Sequence, residues 1–257
     1  MRITLLAFFV FLIPNLLFGQ YGETIRTLRP GRTFGAFALG KNVLQLQTGM
    51  TLNWIDDGTN KIYRHSETTI VRYGLFERLE LSGVVQWRTR NRYVEGTEVR
   101  ENGISNTQIG ARINLFEGKG AIPVLGLQGR VLLNAQAEPF QRERLGSRFV
   151  LATGNKLTNW LGLRTNWGIT WSGNGGDPRP TYSAIFVAKS GKKTGLTTEF
   201  YGFLDTPDLN TGLGFFYLIN KDFQLDVSTG ARVDTEVLNW YLDFGISIRT
   251  DWRDREN

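Results

Sequence analysis

The chain has 257 residues, 41% hydrophobic and 21% charged, with a formal net charge of +6. A mean hydropathy of −0.22 excludes a bundle of membrane-spanning helices, each of which needs a run of about 20 apolar residues. The lack of cysteine excludes a disulfide framework and thiolate chemistry, and one histidine, His65, leaves little for imidazole coordination, so neither a metal nor a cofactor is expected.

Arg2 is followed by a nearly continuous apolar run from Leu5 to Phe18, closing on Gly19 before Gln20. A basic start, a short apolar core broken by Pro14 and a small residue at the cut describe a secretory signal peptide over 1–19. The remaining Lys and Arg are scattered rather than clustered, so no nucleic-acid partner is expected. Residues 20–42 bear Gly and Arg with weak periodicity. They are read as a periplasmic N-terminal segment or a lumen plug, with Arg29-Pro30-Gly31 as a turn.

From Val43 onward a period of two recurs. Leu44, Leu46, Met50, Leu52 and Trp54 oppose Gln45, Gln47, Gly49, Thr51 and Asn53; Leu79, Leu81, Val85 and Trp87 oppose Glu80, Ser82, Gln86 and Arg88. Leu161, Leu163, Trp167, Ile169 and Trp171 oppose Gly162, Arg164, Asn166 and Thr170. Phe223, Leu225 and Val227 oppose Gln224, Asp226 and Ser228. The last run sets Trp240, Leu242, Phe244, Ile246 and Ile248 against Tyr241, Asp243, Ser247 and Arg249. Less regular runs near 62–74, 103–115, 121–134, 146–157, 181–189, 194–204 and 210–219 complete twelve strands.

A soluble sandwich also alternates, but its strands average about five or six residues. Most of these are long enough to cross a bilayer at a tilt of about 45°. Trp54, Tyr73, Trp87, Trp171, Tyr217 and Trp240 sit near strand ends on the apolar face, where interfacial girdles form. Long connections (56–61, 91–102, 135–145, 173–180, 205–209, 234–237) alternate with short ones (75–78, 116–120, 158–159, 190–193, 220–222). These features predict an all-β, transmembrane, up-and-down antiparallel β-barrel over 43–250 in the cell outer membrane, both termini periplasmic, with a charged tail over 251–257. Across the short turns, Val71 and Tyr73 are expected opposite Leu81 and Leu79, Arg72 opposite Glu80, and Ile219 and Tyr217 opposite Phe223 and Leu225.

Arg29-Pro30-Gly31, Leu39-Gly40-Lys41 leading into Val43–Gly49, Arg72-Tyr73-Gly74-Leu75-Phe76-Glu77-Arg78-Leu79-Glu80-Leu81, and Asn239-Trp240-Tyr241 through Gly245-Ile246-Ser247-Ile248-Arg249 carry a resemblance. In these residues the chain resembles the outer-membrane β-barrel family labelled putative MetA-pathway of phenol degradation, as found in Bacteroidetes. The resemblance implies a transporter-like or channel-like barrel supposed to pass small hydrophobic compounds, and supplies no catalytic residues. The barrel-assembly machinery, which commonly reads an aromatic at the end of the last strand, is an expected partner, with Trp252 in the outward parity as the available aromatic. Outer-membrane lipid and a small-molecule solute are the other partners.

Inward parity places Arg72, Arg88, Arg112, Arg130, Arg164, Arg232 and Arg249 in the lumen against Glu80, Glu199, Asp226 and Asp243. The excess is basic, so the leading expectation is a narrow, arginine-rich diffusion path that favours anionic or polar solutes. The opposing expectation is that these charges pair across the lumen and fill it. Uptake of small hydrophobic, aromatic-type compounds would instead use inward Ile70, Val84, Val124, Leu132, Tyr201, Phe216 and Leu218, which are few and dispersed. A lipid hydrolase would need His65 with Ser66 and Glu67, but alternation sends His65 and Ser66 to opposite faces. An adhesive barrel would rely on loops 91–102 and 135–145, which are short for a receptor surface. Gly173-Asn174-Gly175-Gly176-Asp177 leads to Pro178 and Pro180 rather than a helix and reads as an external loop, and Asp56-Asp57-Gly58 and Asn220-Lys221-Asp222 read as turns.

Overall fold

The computed structural model describes residues 22–94, 97–206, 209–233 and 237–252. The signal peptide read over 1–19 and the last part of the charged tail, 253–257, lie outside these residues. Twelve strands pair antiparallel with their sequence neighbours: β1 Val43–Asp56, β2 Lys61–Phe76, β3 Leu79–Val94, β4 Thr97–Phe116, β5 Val124–Leu132, β6 Gly146–Lys156, β7 Leu161–Trp171, β8 Arg179–Ser190, β9 Thr194–Phe203, β10 Asn210–Asn220, β11 Phe223–Arg232 and β12 Leu238–Asp251. β1 closes on β12 from Val43 opposite Asp251 to Asp56 opposite Leu238, so the sheet is a closed barrel without edges.

The side-chain distribution is inverted relative to a water-soluble domain. Val85, Ile109, Trp167 and Leu213 are 50%, 54%, 52% and 59% exposed on the outer wall, whereas the largest fully buried side chains include Arg72, Arg112, Gln45, Gln47, Glu80 and Glu199. An apolar surface this continuous belongs against hydrocarbon, and the alternation of each strand delivers it. Trp54 and Trp240, opposite one another on β1 and β12, stack with centroids 4.1 Å apart, and Tyr63 meets Tyr93 edge-on at 6.0 Å. These four residues form one aromatic arc near the end of the barrel that carries the longer connections.

Parity holds along the other strands but changes within β4, where an irregularity opposite Gln86 and Trp87 leaves both Ile104 and Ile109 outward, and the register at two short turns differs from expectation. Tyr73 lies opposite Leu81, not Leu79, and Arg72 opposite Ser82, because the reversal tightens to Glu77-Arg78 and an irregularity falls between Gly74 and Phe76. Tyr217 faces Leu225 as expected, but Phe223 is met by Asn220 rather than Ile219, again across an irregularity. The expected loop over 91–102 is also largely strand: β3 reaches Val94 and β4 starts at Thr97. This hairpin rises past β5, whose pairing with β4 ends at Gln108 and Leu132. The connection after β5 folds back against it, with Ala137 N donating to Ile104 O at 2.8 Å before a single 3-10 turn over Glu138–Phe140. At the β1–β2 turn, backbone N–H groups of Asn60 and Thr59 donate to Asp57 and hold its carboxyl below the usual carboxylate range.

Candidate functional site

Residues 22–42 run inside the barrel and make a circuit of its inner wall. Near the end with the short turns, Ile25 N donates to Lys221 O at 2.7 Å, and Arg249 donates to Gly22 O at 2.7 Å and Glu23 O at 2.9 Å while pairing with Asp222 at 2.6 Å. Gln224 of β11 donates to Thr27 Oγ1 at 3.0 Å and to Arg29 O at 3.1 Å. The Arg29 side chain then bridges Asp226 on β11, at 3.1 Å, and Asp243 on β12. Glu199 on β9 accepts from Arg32 N at 2.9 Å and from Thr33 N and Oγ1, both at 2.5 Å. Asn166 on β7 both accepts from Phe34 N and donates to Phe34 O, each at 3.0 Å. Asn114 on β4 donates to Ala36 O at 3.3 Å, and the segment returns to β1 where Asn42 N donates to Gly74 O at 2.9 Å.

A backbone lying against a sheet wall needs room, and inward glycines supply it. A Cβ at Gly74 would overlap the Gly40 carbonyl, one at Gly126 would overlap Ala36, one at Gly245 would overlap the Arg29 guanidinium, and one at Gly214 would sit 2.8 Å from the Pro30 ring. Within the circuit, Gly31 takes φ 96°, a conformation glycine adopts without strain, where the chain turns toward Glu199.

The candidate residues differ in what they meet inside the barrel. Glu199, Asp226, Asp243 and Arg249 are inward but engaged with the 22–42 segment rather than facing open water. Arg72, Arg112 and Glu80 form a buried cluster on the opposite wall: Arg72 bonds Glu80 through Nε at 2.9 Å and Nη2 at 2.6 Å, Arg112 Nη1 approaches Glu80 at 3.6 Å, and Arg72 Nη1 also donates to Arg26 O at 3.0 Å. The Arg72–Glu80 contact survives the register difference because the guanidinium reaches diagonally. Arg130 and Arg164 stand on β5 and β7 without an acidic side chain opposite, facing Arg148 and Gly154 respectively. Arg88 lies higher, donating to Ser66 Oγ at 3.2 Å and Gln86 Oε1 at 2.8 Å beneath the ring of Phe140, 5.9 Å away. Arg232 is half-buried near the outer end of β11, opposite Asn210.

Four contributors were absent from the candidate residues of the sequence analysis. Arg148 alternates with outward Phe149 on β6 and was readable from parity alone. Gln128, on β5, likewise follows parity. Arg29 and Arg32 were not, since their partners lie 167 to 214 positions away. The positive charge is therefore concentrated on the β2–β7 wall, and the carboxylates of β9, β11 and β12 are spent on the segment.

His65 and Ser66 are held on opposite sides of β2. His65 Nε2 lies 3.4 Å from Glu67 on the outer face, and the Ser66 hydroxyl is inside, bonded by Arg88. The hydroxyl cannot reach the imidazole through the strand, so the geometry that nucleophilic catalysis requires is not built here. The glycine-rich stretch after β7 places Gly173, Gly175 and Gly176 at positive φ and leads into β8, a strand rather than a helix.

The family model described as "Putative MetA-pathway of phenol degradation" matches residues 27–250. No curated protein matches the sequence. Among solved structures, the COG4313 outer membrane channel from Pseudomonas putida F1 superposes with a TM-score of 0.65 at 12% identity, covering 87% of this chain and 100% of that one. The KdgM porin gives 0.52 at 11% identity over 78% and 98% of the two chains. The Ralstonia pickettii toluene transporter TbuX gives 0.51 at 10% identity over 92% and 99%. The fold is that of outer-membrane barrels, and these neighbours are transport proteins rather than enzymes.

Proposed function

We propose, for a chain that belongs to the family described as "Putative MetA-pathway of phenol degradation", a role as an outer-membrane channel through which small solutes diffuse along the basic wall of β2–β7. The observation that carries this reading is the division of charge inside the barrel. Glu199, Asp226 and Asp243 anchor residues 29–33, and Glu80 holds Arg72 and Arg112, leaving Arg88, Arg130 and Arg164 to set the potential along the path. Rings of arginine bias a pore toward anions. The 22–42 segment narrows the lumen at the level of its circuit, so passage is selective for small solutes. The partners this reading implies are outer-membrane lipid around the apolar band and the assembly machinery during insertion. The test is reversal potential in a salt gradient across a planar bilayer: anion preference supports the reading, and cation preference or no conductance counts against it.

A second reading, passage of small aromatic compounds, is favoured by the family description and by buried inward Val84, Leu132, Val150 and Ile185. Liposome swelling distinguishes the two, since neutral aromatics permeate under this reading faster than anions of equal size.

A further inference from the structure

Four inward side chains on three neighbouring strands present hydrogen-bond donors that meet no acceptor among the described residues. They are Arg112 on β4, Gln128 and Arg130 on β5, and Arg148 on β6. Their buried and unbonded atoms are Arg112 Nε and Nη2, Gln128 Nε2, Arg130 Nη1 and Arg148 Nε, every one a nitrogen that only donates. The four are contiguous in the sheet: Arg112 lies directly opposite Gln128, and Arg130 directly opposite Arg148. Arg112, Gln128 and Arg130 are only 2%, 2% and 7% exposed.

Like charges placed directly opposite across two strands repel, and a buried donor left unmet costs about 1 to 3 kcal/mol. Glu80, the carboxylate on neighbouring β3, is already held in a two-point contact by Arg72 and approached by Arg112 at 3.6 Å. A wall that combined such repulsion with unmet donors would be unstable as mere filling, whereas one group bearing several acceptor lone pairs and a negative charge resolves both at once.

We propose that Arg112, Gln128, Arg130 and Arg148 form an oxyanion-binding site in the lumen wall, taking the carboxylate or phosphate group of a small solute. The forked guanidiniums match a planar or tetrahedral oxyanion in two-point geometry, and the neutral amide of Gln128 adds a donor without further repulsion. The inference rests on the channel reading in that the solute must reach the lumen.

Thermal stability of the detergent-purified protein is titrated with sodium benzoate, sodium phosphate and sodium chloride at matched ionic strength. A saturable rise in melting temperature with benzoate or phosphate, absent with chloride, supports the site, and the stronger of the two names the source of the oxyanion. Arg148→Gln weakens the binding about tenfold or more, and Arg148→Lys, which keeps the charge but loses the fork, falls between the two. Equal responses to all three salts, or variants that respond as the parent does, overturn the proposal. If Arg148→Gln fails to fold, the Arg148→Lys titration decides alone. A protein that conducts but shows no saturable oxyanion effect loses this site and keeps the channel reading; one that binds but does not conduct loses the channel reading and keeps the site.

Discussion

Thr33 bonds Glu199 twice, through its backbone N–H and its hydroxyl, although 166 positions separate them in the chain. With the Arg32 N–H added, a buried carboxylate is satisfied almost entirely by the N-terminal segment, so the anchor and the wall are one unit.

Replacing that carboxylate tests the anchor. Hydrogen bonds to a charged group are worth about 1.5 to 3 kcal/mol each. Glu199→Ala is expected to release the segment, raising single-channel conductance several-fold and exposing Arg32 to added trypsin, while heat-modifiable gel mobility stays that of a folded barrel. Unchanged conductance and protection would place the hold elsewhere.

Steric displacement is the independent route to the same state. Gly126→Leu puts a side chain where Ala36 runs, and deletion of residues 22–36 removes the segment outright. The two variants should match each other in conductance and both exceed the parent. A Gly126→Leu channel as narrow as the parent would mean that the segment re-routes at little cost.

Arg72 and Glu80 should behave as a pair. Removing one member of a buried ion pair costs about 3 to 5 kcal/mol, because the other is left uncompensated. Arg72→Met is therefore expected to lower the urea midpoint in lipid vesicles strongly, and Arg72→Met with Glu80→Met to recover part of the loss. Additive losses in the double variant would show that the two act independently.

The stacked Trp54 and Trp240 close the barrel where first and last strands meet. Such pairs contribute about 0.5 to 1.5 kcal/mol beyond their area. Trp54→Leu is expected to reduce stability in vesicles by that order without altering ion selectivity, since both rings lie outside the lumen. A shift in reversal potential would contradict this placement.

Strand after strand was legible because lipid on one side and water-bearing polar groups on the other impose a period of two, visible in Leu44 to Trp54 and again in Trp240 to Ile248. The hairpin over Arg92 to Arg100 was missed because above the bilayer neither face needs to be apolar, and charges fall on both. The path of residues 22–42 was hidden for a different reason. Its structure is not periodic but borrowed from the wall, through contacts that no local pattern encodes. One trace existed: Gly49, Gly74, Gly126, Gly214 and Gly245 all occupy inward positions in strands, where glycine weakens a sheet unless another backbone must pass close by. Arg130 and Arg148 were individually readable as inward, but their mutual opposition required the register of β5 and β6.

The zipper joining β1 to β12 brings together positions some two hundred apart, so this seam can form only after the final strand has been delivered. Asn42, the last residue before β1, is stitched on both sides, to Gly74 and to Trp252. The end of the inner segment is therefore pinned by the same backbone pairing that seals the cylinder, so fixing the lining and closing the wall are coupled through one residue.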